Sequence, residues 1–212
     1  MGFKGTTFGW GINDVDYPTT KRRTLKGSNI IETEVCPYYR DWFGVLQRCL
    51  YPRYKERKPT YEGCTIDEEW KYLSNFIKWV DSQPNRDWKN CSLDKDMLTL
   101  KNKHYSSTNC VYIPKSLNSF IAEGGRAGSL MRGVTLDNRY KNPRYAAKCQ
   151  NPFVHAGLGR HIGTYNTELE AHLAWQAKKH EIACQLADLQ QDPRVAKALR
   201  ERYAPDKDWT NK

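Results

Sequence analysis

Between residues 92 and 120 the chain reads "SLDKDMLTLKNKHYSSTNCVYIPKSLNSF", with polar groups where a half-buried strand would carry apolar ones. Asp94 and Asp96 offer carboxylates, His104 an imidazole, Asn109 and Asn118 amides, and Lys95, Lys101 and Lys103 ammonium groups. Carboxylates and imidazoles are groups that hold divalent ions and move protons. A lysine with its ordinary pKa of about 10.4 is protonated at neutral pH and suits a phosphate better than a proton-transfer step. The aspartates on either side of Lys95 favour its charged form further. The stretch has the pattern of two short strands, a turn and a helix start, so a hairpin and one helix would have to position these groups.

The elements before it are helical. "YYRDWFGVLQRCLY" puts Trp42, Val45, Leu46 and Cys49 on one helical face, and "DEEWKYLSNFIKWVDSQ" does the same with Trp70, Leu73, Ile77 and Val80. Acidic residues at the start of the second suit a helix N-terminus. Between them "YPRYKERKPTYEGC" is broken by two prolines and gathers four cations. Residues 1–35 are polar and Gly-rich, with a basic run "TKRRTLKGS", and read either as a flexible arm or as one that tracks a DNA backbone. The adjacent glycines of "IAEGGRAGSL" mark a linker at 122–130. Past the linker, "RGVTL", "RYAAKC" and "RHIGTY" are short β-like runs separated by turn-rich segments. Thr167 and Glu170 form a capping box opening a helix that holds Trp175, Ile182, Leu186 and Leu189 on one face. Asp192 and Pro193 then open a last, basic helix.

Charge says what such a chain would meet. A net charge of +10 over 212 residues points to a polyanionic partner, with nucleic acid first among the candidates. No stretch has the apolar length to span a bilayer, and the opening "MGFKGTTFGWGINDVDY" lacks the apolar core of a secretory leader, so no membrane partner is expected. The seven cysteines are widely spaced, without a C-x-x-C pair, which fits reduced thiols in a cytoplasmic setting. A structural zinc held by Cys36, Cys49, Cys64 and Cys91 gets no support from their spacing.

The order "RGV…RYAAKC…RHIGTYNTELEAHLAW" resembles the three-strand-and-helix DNA-binding domain of the Apetala/ethylene-response-factor type, over about residues 130–187. The resemblance implies that Arg132, Thr135, Arg144, Lys148, Gln150, His161 and Thr164 face double-stranded DNA. Thr135 stands where that family usually has arginine, and His161 where it usually has tryptophan, so the target sequence does not carry over. A sheet of this size fits the major groove, with alternate side chains reaching base edges.

The stretch 92–120 in turn resembles the HNH hairpin of phage homing endonucleases, where two strands and a helix hold a divalent ion over the scissile phosphate. In that register Asp94 is the first metal ligand, Asn109 the amide that braces the loop, and Asn118 on the helix the second ligand. The general-base position is Lys95 rather than histidine, which leaves His104 as the stand-in. The implied fold is α+β: an N-terminal helical region leading into a ββα-metal hairpin-helix, then a separate three-stranded antiparallel sheet packed on a helix. The implied organisation is an arm (1–35), an HNH-like domain (36–121), a linker (122–130), the sheet domain (131–190) and a basic C-terminal helix and tail (191–212). Three functions follow as expectations. The first is a DNA endonuclease or nickase using magnesium or manganese. The second is a DNA-binding protein on a catalytically silent HNH scaffold, and the third a phage effector that binds a host protein.

Overall fold

The computed structural model describes residues 6–24, 31–122, 130–139, 141–154 and 160–209. It is a mixed α+β protein that divides into two compact units, Met1–Tyr112 and Ile113–Lys212. Of the segment expected as a linker, residues 123–129 lie outside the described residues.

In the first unit, strands β1 (Thr20–Thr24) and β2 (Ile31–Val35) form an antiparallel ribbon. Lys21 stands opposite Glu34 and Arg23 opposite Glu32, so two of the three cations of β1 already face a carboxylate. Helix α1 (Pro37–Leu50) has proline in its first turn and buries Trp42, Val45, Leu46 and Cys49, the face expected from the spacing. Helix α2 (Pro52–Arg57) is short and surface-bound, and β3 (Thr65–Ile66) follows it.

The next helix starts later than the periodicity predicts. Asp67 caps a 3-10 turn over Glu68–Lys71, and Tyr72 then breaks the helical path with φ −97° and ψ 128°. Helix α3 (Leu73–Asp81) begins with a new phase, so Phe76 and Trp79 join Leu73 and Val80 in the core while Ile77 is only half-buried. Trp70, held in the turn, accepts through its carbonyl a hydrogen bond from Trp42 Nε1 at 2.7 Å and meets Phe76 edge-on at 5.1 Å.

Part of the expected arm folds onto this core. Phe8 packs 4.9 Å from the Phe43 ring and 5.4 Å from that of Tyr51. Gly11 lies so close to α1 that an added Cβ would stand 2.4 Å from Leu46 Cδ1. The Ile12 N–H donates to the Lys71 carbonyl at 2.8 Å, and Asp14 accepts the Ser74 N–H at 2.9 Å. Phe8, set among these glycines, thus serves as a packing anchor.

Strands β4 (Cys91–Asp94), β5 (His104–Tyr105) and β6 (Val111–Pro114) carry the stretch singled out above. Strand β4 pairs with β6, and β5 pairs in parallel with β3. The division between the two units falls inside β6.

The second unit contains helix α4 (Lys115–Ile121), then β7 (Val134–Asp137), β8 (Arg144–Lys148) and β9 (His161–Tyr165) as one antiparallel sheet, then α5 (Glu168–Asp188) and α6 (Pro193–Arg202). The capping box is present: Glu170 N–H donates to Thr167 Oγ1 at 3.2 Å, and Thr167 N–H to Glu170 Oε2 at 3.1 Å. Val134 and Ala147 are buried between sheet and helix, with Tyr145 and Ile162 half-buried. Gly133, at φ +76°, sits where an added Cβ would fall 2.0 Å from Trp175 Cγ, so only glycine lets strand and helix approach so closely.

Two expectations at the end of the chain change. Leu189 is 67% exposed, because α5 stops at Asp188 and the leucine is its C-cap; Ile182 and Leu186 keep their predicted places in the core. The terminal segment is also more than a basic tail. Val195, Leu199, Tyr203 and Trp209 are buried, Trp209 Nε1 donates to the Arg202 carbonyl at 2.9 Å, and Gln176 Nε2 donates to the carbonyls of Ala204 and Lys207. Arg200 and Arg202 lie in the last turn of α6, Arg202 half-buried, and Asp192 N-caps the helix as its sequence predicts.

Candidate nucleic-acid interface

On β7–β9 the side chains alternate across the sheet. Pairing places Thr135 beside Ala146 and Ala146 beside Thr164, which makes one row across all three strands. Arg144 and Lys148 lie two residues to either side of Ala146 on β8, on that same face, and both are exposed. An irregularity between Ala147 and Lys148 brings His161, rather than Ile162, opposite Lys148. A bulge of this kind re-aims a side chain. Here the polar imidazole is exposed next to the lysine while Ile162 stays half-buried. Ala146 at the centre is buried, and Arg144, Lys148 and His161 stand exposed around it.

Asp137, opposite Arg144, brings a carboxylate to one end of this face. Arg139 neutralises it with Nε at 2.8 Å and Nη2 at 2.6 Å. Those hydrogen bonds hold the Asp137 carboxyl at about 2, and the His161 charge acts in the same direction. Gln150, just past β8, is exposed. Arg132 is placed differently: it is half-buried, and its guanidinium lies 5.1 Å from the centroid of the Trp209 ring in the core. Its carbonyl accepts a hydrogen bond from Nδ1 of the fully buried His172 at 2.9 Å. Of the seven positions implied by the resemblance, Thr135, Arg144, Lys148, His161 and Thr164 share the sheet face, Gln150 borders it, and Arg132 is stacked on the helix side.

Residues 94–104 are held by a tight local network. Lys95 is buried, and its Nζ lies 2.7 Å from each Asp96 carboxylate oxygen and 2.5 Å from the Asn102 carbonyl. These three acceptors match the three N–H bonds of the ammonium. Asn102 Nδ2 donates to the carbonyls of Lys95 and His104 at 2.9 and 2.7 Å, and its Oδ1 accepts the His104 N–H at 2.9 Å. Asp94 Oδ1 accepts the Asp96 N–H at 2.8 Å. Lys95 and Asn102 therefore close the loop between β4 and β5 from inside.

His104 is fixed on β5 rather than set in a free turn. Its Nδ1 is 2.9 Å from Thr65 Oγ1, and its Nε2 is 3.9 Å from Asp67 Oδ2. Asn109 lies in the next loop, where its N–H donates to Ser106 Oγ at 3.2 Å. Asp94 belongs to the first unit and Asn118, on α4, to the second. Among the described residues no three His, Cys, Asp or Glu side chains form a group suited to a metal ion.

Asn102 was not singled out by the sequence. Its only signal is an amide between two lysines at a turn, a common pattern for solvated loops. The cysteines are all free thiols, and burial pushes Cys49 and Cys110 each up to about 12. Among the described residues no helix is long and apolar enough to cross a membrane. No family model, curated protein or solved structure matches the chain.

Proposed function

We propose that this is a double-stranded DNA-binding protein that docks the outer face of β7–β9 in the major groove, in the manner of the Apetala/ethylene-response-factor type. The observation that carries the reading is the register row Thr135–Ala146–Thr164, buried at Ala146 and half-buried at Thr164, with Arg144, Lys148 and His161 exposed around it. Cations at the rim would fix phosphates, and the hydroxyls, imidazole and Gln150 amide would meet base edges. The Arg144→Ala/Lys148→Ala protein should bind duplex DNA more weakly, with a salt slope lower by about 2, since each lost phosphate contact removes about 0.9. An unchanged slope would remove this face from the interface.

For the hairpin we favour an HNH-like scaffold of the phage endonuclease class that binds without cutting. Lys95, at the general-base position, supports this choice, because its Nζ is engaged within the loop by both Asp96 oxygens and the Asn102 carbonyl. The cleaving alternative would use Asp94 and Asn118 for magnesium or manganese, with His104 as base. Incubating supercoiled plasmid with either metal decides between them. Metal-dependent nicking that Asp94→Ala abolishes would establish the nuclease, and intact plasmid with DNA still shifted on a gel would establish the silent scaffold.

A further inference from the structure

The exposed cations of the first unit fall into two kinds. Arg40 and Arg86 each pair with a carboxylate, Asp41 at 3.0 Å and Asp81 at 2.9 Å. Arg53 and Arg57 on α2, Lys58 at its C-terminus, and Lys101 and Lys103 in the loop before β5 are all exposed, and none pairs with a carboxylate among the described residues. Glu56 and Glu62 are the acidic residues of the α2 region, and they leave it net basic.

The fold draws the two cationic segments together. Lys103 Nζ donates to the Thr60 carbonyl at 2.6 Å, and the Thr65 N–H donates to the Lys103 carbonyl at 2.8 Å. Tyr54 packs 5.8 Å from Tyr61, joining α2 to the turn Pro59–Tyr61, with the Arg57 guanidinium 6.0 Å from the Tyr54 ring centroid. The loop cations and the α2 cations thus border one surface.

A second observation points the same way. Lys101 has φ +58°, a left-handed backbone that L residues disfavour and glycine adopts freely. A cation stands in this loop where glycine would sit without strain, and its side chain makes no ion pair among the described residues.

We propose that Arg53, Arg57, Lys58, Lys101 and Lys103 form a second nucleic-acid surface, on the first unit, that holds the sugar–phosphate backbone of duplex DNA. The choice of duplex DNA as the polyanion rests on the function proposed above; the surface itself does not. It makes the protein bipartite, with groove reading on one unit and backbone clamping on the other.

The test uses full-length protein and a fluorescein-labelled duplex of mixed sequence, with anisotropy followed over a salt series. Lys101→Gly should hold or raise the thermal midpoint while lowering the salt slope by about 0.9, and Arg53→Gln/Arg57→Gln/Lys58→Gln should lower it by about 3. If both leave the slope unchanged while Arg144→Ala/Lys148→Ala lowers it, this surface is overturned and the sheet reading stands. If both lower it while the sheet pair does not, the sheet reading fails and this surface stands.

Discussion

Lys179 on α5 is 7% exposed, and its ammonium donates to the Phe120 carbonyl at the end of α4. It lies 3.6 Å from the Phe120 ring centroid and 5.3 Å from that of Tyr203. No carboxylate among the described residues pairs with it. Burial pushes its pKa down from 10.5 to about 8, with Cys149 opposing the shift and Arg202 adding to it. At about 1.36 kcal/mol for each pKa unit, keeping this charge buried costs about 3 kcal/mol.

Between pH 8 and 10 the unfolded chain still holds the proton that the folded chain has released, so stability from this group rises with pH over that window. Lys179→Met removes the charge but leaves the Phe120 carbonyl without this donor, at a cost of about 1–3 kcal/mol. The two effects nearly cancel at pH 7. At pH 10 the wild-type lysine is neutral, and the variant should be about 2–3 kcal/mol the less stable. Urea unfolding of both proteins at pH 7 and pH 10, followed by tryptophan fluorescence, measures the difference, and contributions of other titrating groups cancel between the two proteins. Parallel stability curves across that range would mean that Lys179 is not held as a buried charge in the folded protein.

Two further substitutions test separate contacts. Gly133→Ala should cost roughly 3 kcal/mol in urea unfolding, because overpacking against Trp175 adds to the left-handed backbone penalty; a loss under 1 kcal/mol would mean that β7 and α5 can part easily. Lys95→Met should cost about 2 kcal/mol, below the usual loss for breaking a buried pair because the Asp96 side chain is 37% exposed. It should leave the DNA salt slope unchanged. A lowered slope at full stability would instead make Lys95 a DNA contact.

Much of the fold was legible because its signals are local. "RYAAK" alternates between faces, Thr167 and Glu170 are three apart at a helix start, and Trp42 to Cys49 recur at helical spacing. The phase of α3 was not legible, because it is reset by Tyr72, whose extended conformation answers to the pairing of Ile12 with the residues around it. For the same reason Phe8 and Trp209 gave no sign of their roles: each docks on a surface made by distant parts of the chain. In the candidate site, the outward positions of the sheet were implied by the family resemblance, while the placing of Arg132 against Trp209 depends on a contact 77 residues away in sequence. The bonding of Lys95 depends on how a turn closes, and no spacing rule encodes that.

The burial of Tyr203 and Trp209 beside Trp175 bears on how this module could travel between genes. A recombination event that excised only the three strands and the long helix would bare a seam of aromatic rings, and the transplanted piece would tend to self-associate. A cut that spared this aromatic seam would have to fall beyond Trp209.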